Sequence, residues 1–326
     1  MTPSRGAPPG APAAAGPARP ATPARPAPPL LGITLPQLTA SPGPALAAAE
    51  QAWKLGYAGC FVFDHLWPLG GARERPVLEG WTLLAGLAGR TGALPRGGRP
   101  PLAPGTLVTR AGLRSPALLA RMAATVAQAA GARVIVGLGA GDAANRAENL
   151  AFGLAYRDAD GRDAEVERAA RALRAPAAGG PEVWIGGSGP RMRALAGRAA
   201  DAWNMWGALP EELATGLADV RRAAEAAGRD PARVGATWGG QALVDPDAAR
   251  ARARLAAWGA NRDPGEVART LCGDPAAVLD RLAELRAAGA RWCVLSMVGG
   301  AAAAGRSALA AAAGLAAAAG GDVPGS

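Results

Sequence analysis

Residues 59–68 read Gly-Cys-Phe-Val-Phe-Asp-His-Leu-Trp-Pro. Cys60–Phe63 is an apolar, aromatic and β-branched run, the composition of a strand buried on both faces. Asp64 and His65 follow it directly, and Trp67 and Pro68 open a loop. A titratable pair therefore stands where a buried strand ends, the edge at which α/β folds bind ligands. His65 is the single histidine among 326 residues. Imidazole titrates near neutral pH and is the commonest acid/base group. His65 is accordingly the candidate catalytic residue; the alternative is a loop histidine bonded only to its neighbours.

The same unit recurs outward from this stretch. Strands are expected at 30–36, 60–64, 105–109, 133–137, 182–185, 202–204, 234–244 and 292–296, the seventh broken by Gly239 and Gly240. Helices are expected at 44–55, 81–91, 116–130, 163–173, 190–199, 210–227, 245–258 and 275–288. Ser115-Pro116 and Gly228 supply cap and stop signals. Strands apolar on both faces, alternating with helices, mean a parallel sheet covered on each side. Eight such units over roughly 270 residues predict a closed (β/α)8 TIM barrel spanning 30–300, with an open doubly wound sheet as the alternative. Residues 1–29 hold ten prolines, three arginines and no acid. They bury too little surface to offset their ordering entropy and read as a disordered tail. Residues 301–326 form an Ala/Gly-rich tail.

A net charge of +9 raises nucleic acid as a partner. However, the arginines are spread among acids along helices, and no basic block is interleaved with the aromatics that base stacking requires. Nucleic-acid binding is therefore not expected. Cys60, Cys272 and Cys293 show no metal-ligand spacing and fit core packing in a reducing compartment. With one histidine, no His-rich metal site is expected. No transmembrane run and no signal-peptide core is seen, so the expected location is cytoplasmic.

Two glycine clusters follow strands. Gly137-Leu-Gly-Ala-Gly141 suggests a dinucleotide fingerprint, but Asp142 occupies the sixth position, where glycine is required. The preferred reading is that Gly139 and Gly141 let a planar ring approach the backbone. Gly186-Gly-Ser-Gly-Pro190 runs from a strand into a helix. Backbone N–H groups there, with the Ser188 hydroxyl, make an anion site from Gly186, Gly187, Ser188 and Gly189, to which Arg191 or Arg193 could add charge. The alternative is a turn without a ligand. Thr109, Asn145 and Asn204 lie at other strand exits. Trp67, Trp81, Trp206 and Trp238 are candidate walls of the same mouth.

Taken together, LGITLPQ (31–37), VFDHLWP (62–68), LAGLAGRTG (84–92), GTLVTRAGLRSPALLARMAAT (105–125), GARVIVGLGAG (131–141), PEVWIGGSGPRMRALAGRAADAWN (181–204) and AAGRDP (226–231) resemble the luciferase-like monooxygenase family, especially its deazaflavin-dependent oxidoreductases. The resemblance spans about 31–297. It implies a barrel that binds coenzyme F420, or alternatively FMN, at its mouth, and moves a hydride to or from a small-molecule substrate. The ring would lie near Asp64, His65 and Thr109, with the phosphate near Gly186–Gly189. His65 would be the proton donor, and Asp64 would orient it or contact the cofactor. Residue usage typical of a GC-rich genome favours F420 by association, and Arg110 and Arg114 could meet its anionic tail. An FMN-dependent monooxygenase and a non-catalytic flavin-binding barrel are the rival readings. The chain departs from the family's pattern at Val126–Ala130, at Glu79-Gly80 and in the short stretch between Leu173 and Pro181; a homodimer is left open.

Overall fold

The structure, a computed structural model, describes residues 29–68, 73–94, 98, 100–174 and 180–298. Its strands are β1 (Leu30–Thr34), β2 (Gly59–Val62), β3 (Ala103–Arg110), β4 (Ile135–Gly139), β5 (Glu182–Gly186), β6 (Ala202–Trp206), β7 (Gly235–Val244), β8 (Leu271–Gly273) and β9 (Ala290–Met297). The helices are α1 (Gly43–Lys54), α2 (Gly80–Gly92), α3 (Pro116–Ala130), α4 (Asn145–Ala151), α5 (Ala159–Leu173), α6 (Pro190–Ala199), α7 (Pro210–Ala226), α8 (Ala248–Gly259), α9 (Pro264–Ala268) and α10 (Pro275–Ala287). Ser115 caps α3 and Asp274 caps α10, each accepting from a first-turn N–H.

Every strand pairing is parallel, and β1 to β7 close through β9 back to β1. The expected (β/α)8 barrel is the observed fold. β8 is an addition that pairs only with the tip of β7. Ala242 faces Met297 of β9 and Leu271 of β8. The two must therefore flank it from opposite sides, so β8 extends the lane that β6 leaves at Trp206. β7 is continuous, contrary to the expected break. Gly239 and Gly240 are there because of packing: a Cβ on Gly239 would lie 2.9 Å from Trp206 and 3.1 Å from Leu107. The short α4 and the strand β8 were not anticipated. Residues 1–28, 175–179 and 301–326 lie outside the described residues. No helix among the described residues is long and apolar enough to cross a membrane.

Side-chain alternation divides the strands into an inner and an outer face. Phe61 of β2, Trp184 of β5 and Trp292 of β9 fill the barrel, with ring centroids 5.5 to 6.0 Å apart. At about 25 cal/mol per Å2 over 150–250 Å2, burying each ring contributes roughly 4–6 kcal/mol. Glycines make room for them: a Cβ on Gly32 or Gly105 would stand 2.5 or 2.7 Å from the Phe61 ring. Cys60, Cys293, Trp203 and Trp238 face outward into the layer between sheet and helices. On β3 the pairing with β4 slips between Thr106↔Val136 and Thr109↔Leu138. This bulge, which contains the cis peptide Leu107–Val108, sets the Val108 side chain against Gly139 and Gly186.

Candidate active site at the barrel mouth

Because all strands run the same way, their C-terminal ends form one rim. β2 delivers Phe63, Asp64 and His65 to it. The Phe63 and His65 rings lie on the same side, 6.5 Å apart, while the Asp64 carboxylate turns away from the imidazole. Gln37, buried in the loop after β1, secures this exit. Its amide donates to the carbonyls of Phe63 (2.8 Å) and Leu78 (2.7 Å), and its oxygen accepts from Phe63 N (3.0 Å).

Asp64 is fully buried and receives both terminal nitrogens of Arg114, at 2.6 and 3.1 Å. Arg114 also donates to Glu79, 2.5 Å away. Glu79 in turn caps α2 by accepting from Trp81 N and Thr82 N. Burial raises the Asp64 carboxyl above its ordinary range, with Arg114 opposing. For Glu79, burial is outweighed by those hydrogen bonds and by Arg114, which hold its carboxyl low. Gly80 is fitted to its position, since a Cβ there would lie 2.7 Å from the Phe63 carbonyl oxygen.

His65 keeps 23% of its side chain exposed, and its Nδ1 lies 3.4 Å from Oε2 of Glu148 on α4. The other oxygen of Glu148 accepts from the backbone N–H of Leu66 and, at 3.0 Å, of Trp67. Arg110 approaches the same oxygen at 3.0 Å, off-axis, as an ion pair without an aligned hydrogen bond. Its other nitrogens donate to the Asp64 carbonyl (3.1 Å) and to Asn149 Oδ1 (2.8 Å). A carboxylate can only accept, so Nδ1 carries the proton and Nε2 is left with a lone pair. Burial lowers the His65 pKa, against the raising influence of Glu148. With one histidine in the chain, nuclear magnetic resonance reads this residue without assignment. His65 should titrate below about 6.5, with its proton on Nδ1 when neutral. Glu148→Gln should move the titration lower still; an upward shift would show that the carboxylate does not face the ring.

Thr109 is fully buried, and its hydroxyl accepts from the Trp81 indole N–H at 2.8 Å. Thr109→Val, which orphans that donor, should cost about 1–2 kcal/mol in urea unfolding. Trp81 and Trp238 are core residues, the latter donating to Ala208 O at 2.9 Å. Only Trp67, under Arg73 at 4.1 Å, and the half-exposed Trp206 remain at the mouth surface. Arg110 and Arg114, expected to face an anionic tail, are instead committed to buried carboxylates.

Gly139 and Gly186 flank the Val108 bulge. Gly141 has φ +70°, and Asn145 Oδ1 accepts from Asp142 N, closing that loop. At the end of β5, Gly187 has φ +135° and donates to Asn204 O at 3.2 Å. Ser188 and Gly189 are exposed, and Gly189, at the N-cap of α6, supplies no side-chain cap. The N–H groups of Ser188, Gly189, Arg191 and Met192 have no acceptor among the described residues. That donor set fits a phosphate. Neither nearby arginine adds charge to it. Arg191 pairs with Asp160 and Asp163, and Arg193 with Asp219 and the Ser188 carbonyl.

The rim thus brings His65, Gly139, Gly141, Asn145 and Gly186–Gly189 to one end of the barrel, with Asp64 and Thr109 buried directly behind. Glu148 and Gln37 were not singled out from sequence. Their only signal was an acid and an amide standing next to otherwise apolar strand exits.

A family model described as luciferase-like monooxygenase matches residues 22–269. A phthiodiolone/phenolphthiodiolone dimycocerosates ketoreductase of Mycobacterium sp. (strain JLS) is 34% identical over 207 residues, 56% of this chain and 50% of the relative. The Mycobacterium kansasii counterpart is 34% identical over 179 residues, 47% and 46% of the two chains. The chain thus spans about half the length of the curated relatives it matches. Among solved structures, an F420-dependent secondary alcohol dehydrogenase in complex with an F420-acetone adduct superimposes with TM-score 0.71 at 20% identity, covering 89% of this chain and 99% of that one. The EDTA monooxygenase from Chelativorans sp. BNC1 does so with TM-score 0.67 at 16% identity, covering 83% and 89%.

Proposed function

As the chain belongs to the luciferase-like monooxygenase family, whose members are oxidoreductases, we propose that it uses coenzyme F420 to interconvert a secondary alcohol and its ketone. The observation that carries this reading is the lone imidazole, presented by Glu148 on the same rim as the uncapped start of α6. The names of the relatives support it, since one is a ketoreductase and another an F420-dependent alcohol dehydrogenase.

Bound F420 would supply hydride acceptance and donation at its ring. The α6 N-terminus and Ser188 would hold its phosphate, and the Val108 bulge between Gly139 and Gly186 would support the ring. His65 Nε2, unprotonated at neutral pH, takes the hydroxyl proton of the alcohol as the substrate carbon gives up hydride. In the reverse direction it returns that proton to the carbonyl oxygen. Glu148 keeps the ring turned so that Nε2 faces the substrate and stabilises the imidazolium that forms. Arg110 bridges Glu148 to the Asp64 carbonyl and so fixes both to the end of β2.

Titration of the purified protein with each cofactor tests the assignment. Quenching of F420 fluorescence, saturating well before FMN binds, is the expected result. Tight retention of FMN with no response to F420 would overturn it in favour of a flavin monooxygenase.

A further inference from the structure

A cavity of about 500 Å3 opens on the opposite, N-terminal face of the barrel. Its lining includes Arg133, Arg174, Arg229, Arg233 and Arg291, delivered by the segments that lead into β4 and β7, by the start of β9 and by the end of α5. The acids around it are already engaged. Asp201 accepts from Arg174 (2.6 Å) and Val183 N (2.9 Å), and Glu182 accepts from the Trp184 indole (2.8 Å) and lies 3.7 Å from Arg133. Asp230 is turned into its own chain, accepting from Ala232 N at 2.9 Å.

Three guanidiniums are left without a carboxylate partner among the described residues. Arg229 donates to the neutral carbonyls of Gly197 and Ala200, and Arg291 donates to the carbonyl of Ala232 at 2.8 Å. Arg233 makes no side-chain hydrogen bond or ion pair among the described residues. Arg291 is held over the barrel floor because residue 235 is glycine, where a Cβ would lie 2.6 Å from its Cδ. Burial, with the charges of Arg174 and Arg233, lowers the Arg229 pKa against the opposing influence of Asp201. Guanidinium forks match phosphate oxygens in bidentate geometry, and a cavity of this size is that of a small-molecule site.

From this cavity and its three unpaired guanidiniums, we infer that the N-terminal face binds a phosphorylated small molecule, at a site separate from the mouth. Calorimetric titration of the full chain with inorganic pyrophosphate, at low ionic strength and without added cofactor, tests it. Saturable binding is expected, weakened at least tenfold by Arg233→Glu and by Arg291→Glu. Ser188→Asp, which places a negative charge in the cradle at the mouth, should leave that binding in place. Arg233 supports no other side chain, so Arg233→Ala, with an unchanged circular dichroism spectrum, gives the same readout if the charge reversals fail to fold. Absence of saturable binding, or equal affinity in the Arg233 and Arg291 variants, overturns the site. Loss of binding in Ser188→Asp alone assigns it to the mouth. Citrate bound as tightly as pyrophosphate overturns the phosphate class. The F420 titration is unaffected by any of these results.

Discussion

Asp64→Ala should destabilise the protein by about 3 kcal/mol, read as a fall in the urea midpoint at constant slope. The wild-type carboxylate is wholly buried and holds both terminal nitrogens of Arg114, whose side chain is itself only 12% exposed. Removing it leaves a buried guanidinium with Glu79 as its sole remaining anion. That is the situation in which breaking a pair costs more than the pair was worth. Asp64→Asn retains one acceptor and should fall between the two. The double variant Asp64→Leu/Arg114→Met should recover much of the loss, because neither charge is then stranded. A single-variant loss below about 1 kcal/mol would mean that water reaches Arg114, and that the Asp64–Arg114 pair does not anchor the end of β2.

His65→Ala should lower kcat/KM by about 100- to 10,000-fold, the range for removing a positioned acid/base group. F420 affinity should change only a few-fold, since the cradle at α6 is untouched. The pH profile gives the sign. With the neutral imidazole as the proposed base, alcohol oxidation should rise with pH through the His65 pKa, below about 6.5, and then level off. Ketone reduction should show the opposite limb, and both limbs should vanish in the variant. Stability carries the same signature. With a folded pKa below the unfolded one, His65 leaves stability unaffected above about 6.5. As pH falls below that value the unfolded chain takes up the proton first, and the native state loses ground. Retention of full turnover by His65→Ala would remove the acid/base assignment while leaving the barrel and cradle intact.

The strands were legible because each is a short run apolar on both faces, which only a covered parallel sheet can accommodate. Cys60–Phe63 and Val183–Ile185 needed no further information. β8 was not legible, for Leu-Cys-Gly is three residues long and owes its conformation to the tip of β7. Gly239 and Gly240 looked like a break because glycine interrupts most strands. Here the indoles of Trp206 and Trp238 occupy the space a side chain would take, which no local pattern reports. The rim positions of His65 and the glycine loop could be read directly, since each follows a legible strand. Glu148 could not: an acid on a short helix usually faces water, and its partners lie more than eighty positions away, at 65–67. The same distance problem hid the committed state of Arg110, which pairs with Glu148, and of Arg114, which pairs with Asp64 and Glu79; both depend on the closed barrel.

The aromatic plug inside the barrel has a consequence for descent. Phe61 presses on positions 32 and 105 at distances that exclude a methyl group. A lineage cannot acquire alanine at either position while the ring stays, nor shrink the ring without opening a void beneath the mouth. Among homologues, residues 32, 61 and 105 should therefore be inherited as a set, large-with-small or exchanged together, even where the surrounding helices have diverged.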